Sequence, residues 1–456
     1  MQVTKQLWAG HALTAAGWQR DVLVQIDEHG TIGAVDTGQP RTGEVVDILL
    51  PAMCNLHSHA FQRAMAGMTE TRGDDPQDSF WTWRKLMYRF LDQINPQDAQ
   101  AIAAFGQVEM LEAGYTSVGE FHYLHHQPDG KPYLNSAEMS ERMIAASLDS
   151  GIGLTLLPVM YEQGGCDGRA LYGGQLRFGH TLDEFYALYK NAERSIADNA
   201  PNANLGVAPH SLRAVSRDSL QGIAEFARNV PVHIHVAEQQ AEVDELLAAY
   251  NARPVQWLLA NLPVDESWCL VHSTQMTDEE TRQLAASGAV AGLCPVTEAN
   301  LGDGMFNGVL FKQCGGVFGI GTDSNVCISL AQELQTLEYS QRLRHQARAV
   351  YADTDRSTAR VLYESSLVGG ARALQRNSGQ IAVGCTADLL SLDSGSVSLA
   401  SVSNDGWLDA WLFASNRTLV SDVWAAGRQV VSHGRHVNRD RLEGQFRQVL
   451  QRLLAA

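Results

Sequence analysis

Residues Ile48–Met65 read I-L-L-P-A-M-C-N-L-H-S-H-A-F-Q-R-A-M, an apolar run that ends in two histidines separated by one residue. The apolar part predicts a buried strand over Leu49–Asn55. If that strand continues a little further, His57 and His59 project from the same face, because side chains alternate along a strand. Two neutral imidazoles side by side suit a divalent metal ion. An isolated H-x-H pair is more often two polar loop residues, so the metal hypothesis needs support from the rest of the chain.

The composition is that of an ordinary globular protein. The chain has 456 residues, 45% of them hydrophobic, which is enough for one large domain and a smaller one. Its formal net charge of −17 argues against binding to nucleic acid or to an anionic membrane surface. No run approaches the roughly 18 apolar residues of a membrane-spanning helix. An anionic small substrate would therefore need arginines placed close to it.

The cysteines indicate a reducing compartment. They number seven, are widely spaced and include no C-x-x-C pair, which is not the pattern of a disulfide framework. The first residues lack a basic start followed by an apolar core, so we expect no secretory signal. Both observations predict a cytoplasmic protein.

Short strand-like segments punctuated by turn residues occur near both ends of the chain. They include Asp21–Asp27, Gly379–Leu392 and Leu419–His433. We expect residues 1–48 and 376–456 to pair with each other and to form one small β-sandwich domain. Within the second of these regions, Arg439–Leu454 has apolar residues at helical spacing and predicts a closing helix.

Residues 49–375 alternate strand-like and helical patterns and are expected to form the large domain. Capping and stop residues predict helices from Asn95-Pro96 to Gly114 and from Thr277 to Gly288. The strand-like runs are Leu49–Asn55, Thr116–Phe121, Gly151–Met160, Leu205–Pro209, Val230–Val236, Trp268–Val271, Ala289–Pro295 and Val317–Thr322. Eight strands alternating with helices predict a (β/α)₈ TIM-like barrel, with an open doubly wound sheet as the alternative.

Polar residues follow the predicted strands. In a barrel the carboxyl ends of the strands meet at one rim, where catalytic residues gather. The side chains at or just after these ends are His57, His59, Glu120, His122, Tyr123, Tyr161, Glu162, His210, His235, Glu238, His272, Thr297, Glu298 and Asp323. We therefore expect residues that are far apart in sequence to be neighbours at this rim.

His235 and Asp323 are the candidates to complete a metal site. The segment V-H-I-H-V holds a second H-x-H pair, and we favour His235 because it lies nearer the rim than His233, which we expect to be hydrogen bonded one layer down. Asp323 follows the last strand and offers a carboxylate, although a helix cap is its alternative role. A dinucleotide loop at residues 319–324 is disfavoured, because Ser324 stands where the third glycine is needed.

Glu238 and His272 are the candidates for proton transfer and for polarising the reacting group. Glu238 lies three residues after His235, close to the metal without being an obvious ligand, and this suits a proton shuttle. Binuclear hydrolases on such barrels often use a bridging carboxylated lysine. Between residues 132 and 322 only Lys190 and Lys312 occur, and neither follows a predicted strand, so we expect one divalent ion. Zinc, iron and manganese all accept histidine and aspartate ligands.

Four motifs together resemble the amidohydrolase superfamily, and within it the single-metal aminohydrolases: L-P-A-M-C-N-L-H-S-H-A, H-V-A-E, V-H-S-T and G-T-D-S-N. The formimidoylglutamate deiminases of histidine degradation are similar in further segments, which are F-Q-R-A-M-A-G, W-T-W-R, E-F-H-Y-L-H-H, A-P-H-S-L-R-A-V and C-P-V-T-E-A-N-L-G-D-G. This resemblance implies hydrolysis of N-formimidoyl-L-glutamate to N-formyl-L-glutamate and ammonia. It also implies a bound zinc ion and a homodimer.

The resemblance, carried over motif by motif, implies roles for individual residues. The implied metal ligands are His57, His59, His235 and Asp323. Glu238 and His272 match the catalytic pair, with Asp323 or Glu238 taking the proton from water. The positions that match substrate-binding residues are Gln62, Arg84, Tyr123, His210 and Arg213. Two arginines suit the two carboxylates of the glutamate moiety, whereas packing on Trp81 or Trp83 is the alternative for Arg84.

Two other functions stay open on the sequence. The same metal and Glu238 would serve the deamination of a purine, pterin or triazine ring, for which an apolar and amide-lined pocket is expected. A catalytically silent barrel would act as a binding module. Such a module has no need to keep metal ligands and a proton shuttle together.

Overall fold

The computed structural model describes residues 3–68, 70 and 87–455, which form a mixed α/β protein. The strands are β1 (Val3–Thr14), β2 (Gly17–Asp27), β3 (Ile32–Asp36), β4 (Glu44–Pro51), β5 (Met53–Ser58), β6 (Tyr115–His122), β7 (Gly153–Met160), β8 (Asn204–Leu205), β9 (Ala208–Pro209), β10 (Val232–Val236), β11 (Trp268–His272), β12 (Val290–Leu293), β13 (Val317–Ile320), β14 (Leu389–Leu392), β15 (Val420–Ala425), β16 (Arg428–Ser432) and β17 (Arg435–His436).

The helices alternate with the strands of the middle region. They are α1 (Pro96–Ala113), α2 (Glu138–Ser150), α3 (Leu182–Asn199), α4 (Arg217–Phe226), α5 (Gln240–Tyr250), α6 (Pro254–Asn261), α7 (Asp278–Ser287), α8 (Pro295–Leu301), α9 (Gly308–Gln313), α10 (Leu330–His345), α11 (Thr358–Ala373), α12 (Asp405–Phe413) and α13 (Arg439–Ala455). Residues 87–91 are also helical, and 3₁₀ turns occupy Ala60–Met65, Gly173–Arg177 and Val397–Leu399. Over the described ranges, no helix combines the length and the apolar character needed to cross a membrane.

Two helices begin and end where their capping residues predict. Asn95 accepts a hydrogen bond from the backbone N–H of Asp98 at the start of α1, and Gly114 ends this helix in the left-handed conformation. At α7, Thr277 accepts a hydrogen bond from the backbone N–H of Glu280, and Gly288 ends the helix in the left-handed conformation. The predicted closing helix is also present as α13, one residue longer at its end.

The strands from both ends of the chain form one eight-stranded sheet, in the order β17-β16-β15-β14-β4-β1-β2-β3. Strand β14 pairs antiparallel with β4, from Leu389 opposite Pro51 to Leu392 opposite Ile48. The C-terminal region therefore continues the sheet that the N-terminal region begins, as expected. A sandwich of two packed sheets stays a prediction.

The strand predicted over Leu49–Asn55 is wrong as a single element. Strand β4 ends at Pro51 and β5 begins at Met53 in a different sheet. The backbone changes partner between them, because the N–H of Ala52 donates to Asp388 and that of Met53 donates to Gly114. Every residue from Leu49 to Asn55 is buried, so hydrophobicity carries no sign of this change.

The middle strands form two parallel sheets, one ordered β5-β6-β7-β8 with β9 pairing with β7, and the other ordered β10-β11-β12-β13. Isolated parallel bridges join their edges, between Val207 and Val232 on one side and between Ser58 and Asp323 on the other. The predicted run Leu205–Pro209 is two short strands, and Ala289–Pro295 ends early because Pro295 begins helix α8. The remaining predicted runs are strands with shifted ends.

Helix α11 packs closely against β13 through glycines. A Cβ atom at Gly369 would overlap the backbone oxygen of Phe318, and a Cβ at Gly370 would come within 3.0 Å of the Cys54 carbonyl oxygen. The absence of side chains at these positions lets the helix backbone approach the first residues of β5 and β13 directly. This approach helps to fix the two strands that carry the metal-site candidates His57, His59 and Asp323.

We expect Gly369→Ala to lower the free energy of unfolding by about 1–3 kcal/mol, because the added methyl group forces α11 away from β13. Urea unfolding measures this change. Gly444→Ala in α13 is the matched control: nothing lies within 4 Å of its Cβ position, so alanine should be neutral or stabilising there. Equal stability of the Gly369→Ala variant and the wild-type protein would contradict the packing argument.

Candidate active site

Several turns at the carboxyl ends of the parallel strands adopt the left-handed backbone conformation without glycine. The φ angles are 52° at Ala237, 71° at His272, 53° at Ser273, 46° at Asp323 and 54° at Asn325. Each such residue costs on the order of 1–3 kcal/mol, and such strain gathers at functional sites. These turns surround one cavity, whose lining includes His59, His235, Glu238, His272 and Asp323.

Four buried side chains converge at the inner end of this cavity. The Nε2 atom of His57 lies 3.2 Å from that of His59 and 3.0 Å from that of His235. The Oδ1 atom of Asp323 lies 3.4 Å from His57 Nε2 and 3.2 Å from His59 Nε2. All four ligand atoms lie within 4.8 Å of one another. The structure thus brings together the four residues that the sequence singles out as metal ligands.

The hydrogen bonds of the outer ring nitrogens indicate that this cluster fits a cation. His59 Nδ1 lies 3.0 Å from the carbonyl oxygen of Phe121, and His235 Nδ1 lies 3.2 Å from that of His210. A carbonyl oxygen only accepts, so both Nδ1 atoms carry the proton and both Nε2 atoms present lone pairs. Together with the Asp323 carboxylate these lone pairs point at one small volume, which is the donor set of a divalent metal ion.

Burial keeps the central histidine in the form that a metal requires. It lowers the pKa of His57 to about 3, so the imidazole is neutral near pH 7. Its Nδ1 atom is buried and has no hydrogen-bond partner in the described part of the chain. A buried site that could hold a metal ion is therefore present at this end of the parallel strands.

The turn that carries Asp323 is tied to the H-x-H segment by backbone and side-chain hydrogen bonds. The N–H of Asp323 donates to the His57 carbonyl, and the N–H of His59 donates to the Asp323 carbonyl. Asn55 exchanges two hydrogen bonds with Thr322, whose hydroxyl donates to Asn325, and Asn325 reaches the His59 carbonyl. This buried network offsets the strain of the turn and fixes the distance between Asp323 and the two histidines His57 and His59.

Glu238 and His272 lie on one wall of the cavity. His272 Nε2 is 3.7 Å from Glu238 Oε1 and 3.9 Å from Asp323 Oδ2, while its Nδ1 faces Glu298 Oε1 at 3.3 Å. Burial raises the pKa of Glu238. Although burial alone would lower it, the carboxylates of Glu238, Glu298 and Asp323 together raise the pKa of His272 well above its usual value. A carboxyl group and an imidazole, each with a raised pKa, thus stand side by side next to the metal-ligand candidates.

Gln62, Tyr123 and Arg213 line the same cavity, and Gln62 and Arg213 each have a hydrogen-bonding atom left without a partner among the described residues. Gln62 Nε2 donates to the Tyr123 hydroxyl at 2.9 Å, which leaves the buried Gln62 Oε1 without a partner among the described residues. The Nε of Arg213 is likewise buried and unpaired there. Buried polar atoms without partners are rare, and in a cavity they mark where a polar ligand binds. His210 also lines the cavity, whereas Arg84 lies outside the described residues.

Other polar residues predicted at the rim have different positions. Glu120 is buried beneath the H-x-H segment and accepts the N–H of Ala60 at 2.8 Å, and burial raises its pKa to about 7. His122 packs against His125 behind the cavity, and Glu162 accepts the N–H of Ser216 at the start of α4. Tyr161 and Thr297 do line the cavity. His233 is hydrogen bonded to the carbonyl oxygen of Ala373 at 2.8 Å, as predicted.

Two buried glutamates near the site escaped the sequence prediction. Glu242 accepts the N–H groups of Ala237 and Glu238, and Glu333 accepts that of Val296. Both lie in the first turn of a helix, α5 and α10 respectively. Glu242 could have been found from the sequence, because it is an acidic residue four positions after Glu238 and lies in the first turn of a helix. Glu333 could not have been found in this way, because its partner lies on another helix.

This arrangement is that of a metal-dependent hydrolase, and the chain belongs to the amidohydrolase family, whose model matches residues 48–430. A formimidoylglutamate deiminase from Pseudomonas aeruginosa is 45% identical over 452 residues, covering 98% of this chain and 99% of that protein. A solved amidohydrolase structure from Brucella melitensis superposes with a TM-score of 0.95 at 46% identity, covering 99% of this chain and 100% of that one. A 5-methylthioadenosine/S-adenosylhomocysteine deaminase from Halobacterium salinarum is 28% identical over 383 residues, or 82% of this chain and 80% of that protein.

The two histidines of the second H-x-H pair have different roles: His235 is the metal-ligand candidate, and His233 is a hydrogen-bonded core residue. We expect His235→Asn to lose most of its bound metal, since only that ring points its Nε2 at His57. His233→Asn, two residues earlier on the same strand, is the matched control and should keep its metal while losing some stability. Elemental analysis of both purified variants measures the metal content. Loss of metal from the His233 variant alone would reverse the assignment.

Proposed function

We propose that this protein hydrolyses N-formimidoyl-L-glutamate to N-formyl-L-glutamate and ammonia. One observation carries the proposal: the metal-ligand candidates, the pair Glu238 and His272, and the partly buried Arg213 share a single cavity. The relative of 45% identity, which matches along nearly its entire length, is a formimidoylglutamate deiminase. In this reaction water adds to the formimidoyl carbon, the carbon–nitrogen bond to the terminal nitrogen breaks, and that nitrogen leaves as ammonia.

The proposed cofactor is one divalent ion, with zinc favoured, held by His57, His59, His235 and Asp323. Bound there, it supplies Lewis-acid activation of water for attack on the formimidoyl carbon. The donor set of three imidazoles and one carboxylate supports this proposal, although iron and manganese accept the same ligands. The positions of Lys190 within α3 and Lys312 within α9 support a single ion, because neither lysine lines the cavity.

Glu238 and His272 are the proposed catalytic residues. The raised pKa of Glu238 suits a group that accepts a proton from the attacking water and passes it to the departing nitrogen, with Asp323 as the other candidate acceptor. His272 lies on the same wall of the cavity as Glu238, with its Nε2 atom toward that carboxyl group. From there it can donate a hydrogen bond to the tetrahedral intermediate. The two roles need both side chains within reach of the same reacting carbon, and both line the cavity.

Arg213 is the proposed anchor for a substrate carboxylate, together with Gln62, Tyr123 and His210. Although burial opposes it, the charges of Glu242, Glu238 and Glu245 raise the pKa of Arg213, which keeps the guanidinium charged. A planar guanidinium matches a carboxylate by paired hydrogen bonds. On the sequence resemblance, Arg84 is proposed to bind the second carboxylate.

The wider proposals concern domains, location and assembly. We propose a closed (β/α)₈ barrel over residues 49–375, supported by the bridges that join the two parallel sheets. A β-sandwich domain is proposed for residues 1–48 and 376–456, which share one sheet. All seven cysteines are free, which supports a cytoplasmic enzyme of histidine degradation. A homodimer and the absence of nucleic-acid partners stay predictions from the resemblance and from the net charge.

The first test is ammonia release by the purified, metal-analysed protein. We expect turnover of N-formimidoyl-L-glutamate and little or none of guanine, adenosine, pterin and triazine substrates. Glu238→Gln should keep its metal and lose turnover by about 100-fold or more, because the amide cannot carry the proton. Turnover of a ring substrate alone would replace the proposed reaction with ring deamination. Tight binding of N-formimidoyl-L-glutamate without turnover would favour the binding-module alternative.

The second test concerns the substrate carboxylates. Arg213→Ala should raise the KM for N-formimidoyl-L-glutamate by about 10-fold or more with a smaller effect on kcat, because it removes a charge-assisted contact. Arg84→Ala should act in the same direction. Arg217→Ala is the matched control, since this arginine stacks on the ring of Tyr250 outside the cavity. An unchanged KM in both the Arg213 and the Arg84 variants would refute the clamp.

A further inference from the structure

We propose that Glu298 is a positioning residue that sets the orientation of the His272 ring, and that helix α8 thereby holds His272 in place relative to Asp323. The kinetic part of this inference rests on the proposed function, because it takes His272 to act on the reacting group. Glu298 was among the residues predicted at the rim, but it does not line the cavity. Its side chain lies behind His272.

The contacts of Glu298 define its effect on the imidazole. Glu298 Oε1 lies 3.3 Å from His272 Nδ1 and also accepts the N–H of Cys294 at 2.9 Å. Because this oxygen is already an acceptor toward Cys294, it is the acceptor toward His272 as well, and Nδ1 carries the proton. The ring is then held with its other nitrogen, Nε2, toward Glu238 and Asp323.

His272 needs an external partner to hold one orientation. It is the last residue of β11 and has a φ of 71°, so the strand no longer fixes its side chain by regular geometry. The second side-chain torsion of histidine has a broad energy minimum, and rotation of the ring would move Nε2 away from the cavity. A hydrogen bond to a buried carboxylate selects one rotation of the ring.

The neighbouring residue connects the same helix to the Asp323 turn. The Thr297 hydroxyl is 3.3 Å from the Thr322 carbonyl oxygen and 2.9 Å from the Ser324 hydroxyl. Glu298 and Thr297 therefore reach the ends of two different strands, β11 and β13, from one turn of α8. The Thr297 contacts brace the segment on either side of Asp323, while Glu298 braces His272.

Glu333 provides a matched control for a purely structural role. It is buried like Glu298 and supports the same turn of α8 by accepting the Val296 N–H at 2.9 Å. In the described part of the chain, none of its hydrogen bonds goes to His272. Loss of this carboxylate should therefore disturb α8 without releasing the imidazole.

The kinetic experiment compares Glu298→Ala, Glu298→Gln and Glu333→Ala in the metal-loaded enzyme. Glu298→Ala should lower kcat for N-formimidoyl-L-glutamate by about 10- to 100-fold, with KM within about threefold and the metal content unchanged. Glu298→Gln keeps an acceptor oxygen and should recover part of this loss. Glu333→Ala should stay within about threefold of wild-type kcat. A wild-type kcat in Glu298→Ala, or an equal loss in Glu333→Ala, would overturn the proposal.

A crystal structure of Glu298→Ala tests the same inference without any substrate. We expect the His272 ring to be rotated or disordered, and an unchanged ring would overturn the proposal even if the wild-type protein proved inactive on N-formimidoyl-L-glutamate. Inactivity of the wild type would by itself contradict only the proposed function. Should Glu298→Ala fail to fold, Glu298→Asp serves in both experiments. Its shorter side chain cannot hydrogen bond to both Cys294 and His272. A wild-type kcat and ring position in that variant would therefore contradict the proposal.

Discussion

Three imidazole nitrogens and one carboxylate oxygen meet inside this protein within 4.8 Å of one another, and their lone pairs oppose one another unless a cation lies between them. The four residues come from β5, from β10 and from the turn after β13, which are separated by as much as 266 residues of chain. Two parallel sheets joined at their edges hold these strand ends close together. If the two sheets did not hold the strand ends together, the four side chains would separate, because each is more favourably solvated by water alone than next to the others.

Buried glutamates hold the backbone around this site by hydrogen bonds. Glu120, Glu242, Glu298 and Glu333 each accept one or more backbone N–H groups at or beside a strand end. Charge-assisted hydrogen bonds of this kind are stronger than neutral ones, and they offset part of the cost of burying a carboxylate. The same burial raises the pKa of Glu120 and Glu242. The rim is thus held by hydrogen bonds to buried carboxyl groups as well as by packing.

Much of the site could be predicted because the chemistry lies at strand ends. His57, His59, His235, Glu238, His272 and Asp323 each end or follow an apolar run, and the structure gathers all six around one cavity or directly beneath it. The supporting residues were harder to foresee. Glu333 binds a backbone N–H of another helix, and Glu298 reaches His272 from helix α8, so neither contact has a local signature. Sequence patterns report periodicity and caps, whereas these contacts depend on how helices sit on the sheets.

The sequence by itself determined the candidate site residues and the order of the strands and helices, because hydrophobic periodicity and capping residues depend only on nearby residues in the chain. Tertiary structure alone decided where strands change partners. Ala52 shows this, since seven consecutive buried residues are divided between two sheets by hydrogen bonds to Asp388 and Gly114. For the two histidines on β10, the position of His235 nearer the strand end was enough to predict which one faces the other ligands, but the partners were not predictable: His235 points its Nε2 at His57, while His233 bonds to Ala373. The change of sheet at Ala52 and the partner of His233 are both set by residues distant in sequence, which no local pattern encodes.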